Sequence, residues 1–170
     1  MPTADVDVAA LLDALERNAV EYVVIGGFAA ELHDVAIPPT RDVDITPAPS
    51  EVNLERLVAA LGELAARLRV VDGPPGGIEV PGGITPKWFE SLVMMSLVTS
   101  AGPLDISMVP DGTLGYVELV EGQVVREYQG RRVPVAGLAD VIRSKEAAGR
   151  AKDLLVLPAL RAHQRRSSDA

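Results

Sequence analysis

The sequence predicts an α/β fold of the α+β type: a small mixed sheet flanked by helices, with a short helical C-terminal lobe. Short β-branched runs alternate along the chain with segments in which leucine recurs at helical spacing. A chain of 170 residues with 48% hydrophobic content can bury about two thirds of its unfolded surface, enough for one core. No repeat or linker divides it, so we expect a single domain over residues 1–170, with a core at about 20–110 and a basic lobe at about 111–165.

Capping residues and apolar spacing define the elements of the first part of the chain. Asp7 can cap a first helix and Ser50 a third, because each stands immediately before a segment with leucines on one helical face. Between these helices, the apolar run Tyr22–Ile25 predicts a strand that ends in a glycine pair. The predicted order is helix 7–17, strand 22–25, helix 28–33, strand 43–46, helix 51–68 and strand 69–71.

The second part of the chain begins with a long irregular loop over residues 72–86, rich in Gly and Pro, whose role the sequence does not indicate. Two alternating segments around Gly102 then predict a hairpin, in which Pro103 argues against an interior strand position. The remaining elements are predicted as helix 113–121, strands 124–128 and 132–135, and helices 137–148 and 152–163.

Asp42 and Asp44 are the first candidate site residues. Side chains alternate along a strand, so both carboxylates should share one face while Val43 and Ile45 point into the core. Two carboxylates this close repel each other unless a cation lies between them, and Mg²⁺ (or Mn²⁺) prefers such oxygen ligands together with substrate phosphates. The alternative is a solvated strand face without a ligand.

Gly26 and Gly27 supply the second part of the candidate site. A strand that turns through glycine into a helix presents free backbone N–H groups and the positive end of the helix dipole, which suits a phosphate. Taken alone, a glycine pair at this place is more often a plain turn. The order strand, Gly-Gly, short helix, Pro-containing loop and Thr40-Arg41-Asp42-Val43-Asp44-Ile45 favours a combined phosphate and metal site.

This order of motifs resembles the nucleotidyltransferase fold of the DNA polymerase β type, whose signature is Gly-Gly or Gly-Ser, a helix and two aspartates separated by an apolar residue. The resemblance implies a third carboxylate on a later strand, and Asp105 in Pro103-Leu104-Asp105-Ile106-Ser107 matches it. Asp105 would ligate a second metal or accept a proton. The core at 20–110 would then be the catalytic part.

The segment from Leu138 to Asp153 narrows the resemblance. It is similar to the Leu…Lys…Arg-x-Lys-Asp segment of AbiEii-like (MenT-like) nucleotidyltransferase toxins of toxin-antitoxin systems. By this resemblance Lys145 contacts the nucleotide phosphates, and Asp153 orients Lys145 or Arg41 in the nucleotide site. The alternative for Lys145 and Asp153 is a surface pair on neighbouring helices. Gly27 stands where many members carry Ser, which removes one hydroxyl contact.

The resemblance implies an enzyme that transfers NMP from a nucleoside triphosphate to the 3′ end of tRNA, which blocks aminoacylation and translation. A second possibility is a nucleotidyltransferase that modifies a small hydroxyl compound of the antibiotic type. A third is a catalytically idle binding module with the same fold. An acidic acceptor pocket would favour the small compound, and loss of Mg²⁺ binding would favour the idle module.

Charge is distributed unevenly along the chain, whose net charge is −8. Residues 1–125 hold 6 Lys and Arg against 19 Asp and Glu, a net charge of −13, whereas residues 126–170 hold 10 against 5, a net charge of +5. Such a basic half suits a polyphosphate or an RNA backbone, although a solvated helix face is an equal alternative. RNA would have to dock there, and no DNA partner is expected.

Other signals concern compartment and regulation. The chain has no cysteine, and its two histidines, His33 and His163, are each expected on a helix surface. No signal peptide or membrane span is visible, so we expect a cytoplasmic protein. Thr40 lies two residues before Asp42, and its phosphorylation by a cognate antitoxin would place about −1.5 to −2 charges beside the carboxylates. The alternative is a threonine that only supports the loop after Pro38-Pro39.

Overall fold

A mixed sheet of seven strands organises the chain, as seen in a computed structural model that describes residues 5–170. The strand order is β3-β4-β5-β2-β1-β7-β6, so the two parts of the chain that differ in charge contribute to one sheet. The strands are β1 Tyr22–Ile25, β2 Val43–Pro47, β3 Arg67–Leu68, β4 Met94–Thr99, β5 Gly102–Ser107, β6 Val124–Tyr128 and β7 Arg131–Val135. The predicted mixed sheet flanked by helices is confirmed.

Seven helices accompany the sheet in the described part of the chain. They are α1 Val8–Arg17, α2 Gly26–Leu32, α3 Glu51–Glu63, α4 Pro86–Ser91, α5 Tyr116–Gly122, α6 Leu138–Ala148 and α7 Ala151–Ser168. The two predicted N-caps are confirmed: Asp7 accepts a hydrogen bond from the backbone N–H of Ala10, and Ser50 accepts one from Asn53. Within residues 5–170, none of the helices has the length and apolar character that crossing a bilayer requires.

The register places β2 at the centre of the site. It pairs antiparallel with β1, where Asp44 lies opposite Ile25, and parallel with β5, where Asp44 lies opposite Asp105. The prediction that Pro103 keeps β5 from an interior position is wrong, because β5 lies between β4 and β2. The pairing with β2 begins only at Leu104, so the missing N–H of Pro103 leaves no gap in that ladder.

The middle of the chain differs from the prediction in two element boundaries and in one helix that was not predicted. Helix α3 ends at Glu63 instead of 68, because residues 67–68 pair with β4 and form β3, two residues before the predicted strand 69–71. The loop after residue 71 is present but contains a β-bridge between Leu68 and Ile78. The loop is followed by α4, which the sequence analysis missed although Pro86 at its first turn is a common helix start.

The packing places His33 in the interior, so its predicted surface position is wrong. His33 is the residue after α2, and its side chain is buried. Its Nε2 lies 2.8 Å from the carbonyl oxygen of Ala136 and donates a hydrogen bond to it. Nδ1 lies 3.5 Å from Nη2 of Arg126 and is left to accept. The imidazole is therefore held neutral between a carbonyl and a guanidinium.

The burial of His33 predicts a loss of stability in mild acid. Burial first, and then the charge of Arg126, lower the pKa of His33, partly offset by the hydrogen bond to Ala136. Below about pH 6.5 the unfolded chain therefore binds a proton that the folded chain does not, and the free energy of unfolding falls by at most about 1.4 kcal/mol per pH unit for this group. Urea unfolding at pH 7.5 and 5.5 should show a smaller loss for His33→Gln than for the parent. Equal losses would contradict this account.

Candidate active site

A cleft of about 540 Å³ opens at the face of the sheet where β1, β2 and β5 meet the last two helices. Its lining combines glycines, carboxylates, cations and apolar side chains from strands β1, β2, β4 and β5, the segments that flank them and the last two helices. The polar and glycine members used below are Gly26, Gly27, Thr40, Asp42, Asp44, Asp105, Lys145, Arg150, Lys152 and Asp153. The structure thus brings together all the sequence-predicted site residues except Arg41, which is exposed and does not line the cleft.

Asp42 and Asp44 lie at the start of β2 on the cleft side. The intervening Val43 and the following Ile45 are completely buried in the core, as strand alternation requires. Burial first, and then the charges of Asp42 and Asp105, raise the pKa of Asp44 to about 7. The three carboxylates are therefore close enough to repel one another.

Gly26 brings the backbone against the carboxylate of Asp44. It has a φ of +67°, and a Cβ at this position would lie 2.5 Å from Oδ2 of Asp44. Both the left-handed backbone and the close approach therefore require glycine. The turn and the carboxylate lie in direct contact, as the combined phosphate and metal site needs.

Thr40 connects the helix after the glycines to Asp42. Its backbone N–H donates to Oε1 of Glu31 in α2, and its hydroxyl lies 3.0 Å from both the carbonyl oxygen and Oδ1 of Asp42, to one of which it donates. The Thr40 hydroxyl also lies 3.2 Å from where a Cβ on Gly27 would be. Thr40 therefore fixes the Asp42 side chain, which precedes the first residue of β2 and is not held by the sheet.

Asp105 reaches the cleft on β5 but is already paired with a cation. Nη2 of Arg69 donates to both of its oxygens, at 2.9 and 3.2 Å. Burial raises the pKa of Asp105, while hydrogen bonding from Ser96 and the charge of Arg69 act to lower it. Sequence reasoning missed Arg69, because the register of the short strand β3 that brings it here was not predictable.

Two cations on the helical wall of the cleft are paired with the carboxylate of Asp153. It is completely buried in the first turn of α7; Nζ of Lys145 lies 3.3 Å from Oδ1, and Nε of Arg150 lies 2.7 Å from Oδ2. Burial acts to raise the pKa of Asp153, but the hydrogen bond from Arg150 and the charge of Lys145 outweigh it and hold the pKa below its usual value. The predicted contact with Lys145 is present, whereas the simple surface pair is excluded by this burial.

The turn between the last two helices determines this arrangement. Gly149 ends α6 in the left-handed conformation, and its N–H donates to the carbonyl oxygen of Lys145. Because α7 begins immediately afterwards, Lys145 in the last turn of α6 meets Asp153 in the first turn of α7. Arg150 and Lys152, which sequence reasoning did not assign, reach the cleft from the same turn.

No protein-family model matches the sequence, and no curated protein is similar to it in sequence. Solved structures are similar in fold. The lincosamide antibiotic adenylyltransferase LnuA, lincomycin-bound, has a TM-score of 0.61 at 16% identity, covering 94% of this chain and 99% of LnuA. A Thermotoga maritima protein described as a putative nucleotidyltransferase has a TM-score of 0.56 at 16% identity, covering 89% of this chain and 88% of its own. The antibiotic-resistance factor ANT(2'')-Ia has a TM-score of 0.55 at 15% identity, covering 90% and 80%.

The chain therefore has the polymerase β-like nucleotidyltransferase fold. This confirms the broader of the two resemblances predicted from the motifs. The narrower one, to AbiEii-like toxins, stays a prediction, because none of these neighbours is described as a toxin.

Within this nucleotidyltransferase fold, Asp42 and Asp44 fit a divalent cation. Burial and then the charges of Asp42 and Asp105 raise the pKa of Asp44, and a cation would relieve the repulsion among these carboxylates. Two carboxylates completed by substrate phosphates are a usual Mg²⁺ environment. Among residues 5–170, no three His, Asp or Glu side chains are grouped so as to hold a metal ion. The pairing of Asp105 with Arg69 agrees with this, because it leaves two carboxylates rather than three for a metal.

The contact between Gly26 and Asp44 predicts that alanine lowers the stability of the protein at position 26 but not at a glycine with free space around it. Gly26→Ala should lower the free energy of unfolding by about 1–3 kcal/mol, because the positive φ and the displaced carboxylate both add strain. Gly62→Ala is the matched control, since a Cβ there meets nothing within 4 Å and the residue lies in α3. That variant should be neutral or stabilising by up to about 0.5 kcal/mol in urea unfolding. Equal stabilities of the two variants would contradict the proposed contact.

Proposed function

We propose that the protein is a metal-dependent nucleotidyltransferase of the EC 2.7.7 type, which transfers NMP from a nucleoside triphosphate to a hydroxyl group. The observation that carries this proposal is the contact of the Gly26 turn with Asp44 in a cleft that also holds Asp42 and Lys145. These groups supply a place for phosphate, a carboxylate pair for a cation and a positive charge for a leaving group. The nucleotidyltransferase fold supports the assignment.

The chemistry joins the acceptor oxygen to the α-phosphorus and breaks the bond between the α-phosphorus and the bridging oxygen, which releases pyrophosphate. A Mg²⁺ or Mn²⁺ ion held by Asp42 and Asp44 would neutralise phosphate charge when bound. Lys145 would stabilise the charge on the pyrophosphate, with Asp153 fixing its position from the buried side. Asp105 is the group in the cleft that could accept the proton of the hydroxyl once it is released from Arg69.

The first candidate acceptor is the 3′ end of an RNA, with tRNA as the best-defined case. The helical wall of the cleft supports this choice, because its three cations, Lys145, Arg150 and Lys152, outnumber its two carboxylates, Asp111 and Asp153. Arg150 and Lys152 are exposed. An RNA backbone is bound mainly through such contacts to its phosphates. A toxin acting on tRNA, with a cognate antitoxin as partner, agrees with the sequence resemblance.

The second candidate acceptor is a small hydroxyl compound, and the apolar lining of the cleft favours it. Ile37, Pro38, Met94, Leu155 and Val156 line the same 540 Å³ space as the carboxylates. Pockets of this size and lining bind small molecules. LnuA is described as an antibiotic adenylyltransferase, and ANT(2'')-Ia is seen in complex with adenylyl-2''-tobramycin. The lining as a whole holds five carboxylates, including Asp111, against three cations, so it has the acidic character that a small basic compound would favour.

A transfer assay distinguishes these acceptors. The protein is incubated with Mg²⁺ and each α-³²P-labelled nucleoside triphosphate in turn, with total tRNA or with a panel of lincosamide and aminoglycoside compounds. Label should appear in tRNA, and Asp42→Asn should reduce it by at least about 100-fold, the usual scale for loss of one electrostatic catalytic contact. Asp34→Asn, which removes an exposed carboxylate outside the cleft, should leave transfer unchanged. Label in a small compound alone would favour the second acceptor, and no transfer to either would contradict the proposed function.

Phosphorylation of Thr40 would silence such an enzyme. The hydroxyl lies 3.0 Å from Oδ1 of Asp42 and lines the cleft, so a phosphate there would add about −1.5 to −2 charges beside the carboxylates. We expect protein coexpressed with a kinase-type antitoxin to carry this modification by mass spectrometry and to lose transfer activity, which phosphatase treatment restores. Thr113→Ala, at a hydroxyl outside this cleft, should not prevent inactivation. Thr40 that is always unmodified would remove the hypothesis.

A further inference from the structure

Four residues form one row across the strands β2, β5 and β4 and the end of β3. Asp44 on β2 lies opposite Asp105 on β5, and Asp105 lies opposite Ser96 on β4. The N–H of Arg69, the residue after β3, donates to the carbonyl oxygen of Ser96 at 2.9 Å and continues the row. Opposed residues of a sheet share a face, so all four side chains lie on the side of the cleft.

Within this row Arg69 contacts Asp105 at the position that a bidentate cation would take. A single nitrogen, Nη2, lies 2.9 Å from one carboxylate oxygen and 3.2 Å from the other. Asp44, on the opposite side of Asp105, has no such partner within the row. Asp105 would be the third carboxylate of a metal site, but its charge is already neutralised by Arg69 at the edge of the sheet.

We propose that Arg69 is a positioning residue that competes with a divalent cation for Asp105. In the state seen here the guanidinium holds Asp105, and a two-carboxylate site remains at Asp42 and Asp44. Binding of a second divalent cation requires Arg69 to leave, which frees Asp105 to ligate that cation or to accept a proton. The role of this competition in catalysis rests on the proposed function. The competition itself can be measured by cation binding alone, without substrate.

The exposure of Arg69 makes the exchange feasible. Its side chain is 41% exposed, whereas that of Asp105 is 13% exposed. Arg69 follows a strand of only two residues at the edge of the sheet, so its side chain can turn into solvent without breaking the core. A partly exposed ion pair contributes little stability, and a divalent cation carries twice the charge of the guanidinium.

The test measures binding of Mn²⁺ alone by calorimetry or by the electron paramagnetic resonance signal of the free ion, without nucleotide or acceptor. Arg69→Gln should strengthen Mn²⁺ binding by about three- to fivefold, the equivalent of one partly exposed ion pair. Arg69→Lys should give an intermediate affinity, because it keeps the charge but loses the contact to both oxygens. Asp105→Asn in the Arg69→Gln background should abolish the gain.

Arg67→Gln is the matched control for net charge. Arg67 lies two residues earlier, and its side chain contacts the carbonyl oxygen of Gly77 rather than a carboxylate. An equal gain in Mn²⁺ affinity from Arg67→Gln would overturn the proposal, as would unchanged or weakened binding in Arg69→Gln with unfolding like that of the parent.

A further variant separates this proposal from the proposed function. Mn²⁺ binding that depends on Asp42 but ignores Arg69 would overturn the competition alone. Mn²⁺ binding that survives Asp42→Asn unchanged would contradict the metal site of the proposed function. A chain in which neither the parent nor Arg69→Gln binds Mn²⁺ would overturn both.

Discussion

Asp42, Asp44 and Asp105 share one cleft and repel one another, and the surrounding elements place cations against this repulsion. Burial and the charges of Asp42 and Asp105 raise the pKa of Asp44, and its own strand contributes no positive charge. The fold supplies cations from outside the central strands, with Arg69 at the sheet edge and Lys145 at the end of α6. The helices and the edge strand therefore do more than cover the core, because they balance the charge of the strands that they flank.

Much of this arrangement could be predicted, because local rules act on neighbouring residues. Alternation along β2 puts Asp42 and Asp44 on the side opposite Val43, and a glycine between strand and helix requires no long-range knowledge. The hairpin of β6 and β7 and the start of α1 at Asp7 likewise follow from turn and cap chemistry. The motif order then identified the fold, which structural similarity confirms.

What could not be predicted depends on partners distant in the chain. Arg69 becomes important only because a two-residue strand pairs with β4, and short strands carry almost no sequence signal. Pro103 was misplaced because the rule about proline concerns a missing hydrogen bond, and β2 simply does not extend that far. The burial of His33 depends on a carbonyl 103 residues later. Such contacts form only in the tertiary structure, so no periodic pattern in the sequence indicates them.

The buried Asp153 has a consequence for how a polyanion reaches this cleft. Asp153 pairs with both Lys145 and Arg150. With Lys152 and Asp111 included, the rim carries one excess positive charge and faces the carboxylates of the sheet, so the charge changes sign along the depth of the cleft. The chain as a whole repels a triphosphate, since its net charge is −8. At physiological salt, charges are screened beyond about 8 Å, so an arriving phosphate chain responds to the local rim rather than to the whole protein. For the proposed nucleotide substrate, entry would therefore be directional: its phosphates would meet the helical side first, and the sheet side only together with a metal ion.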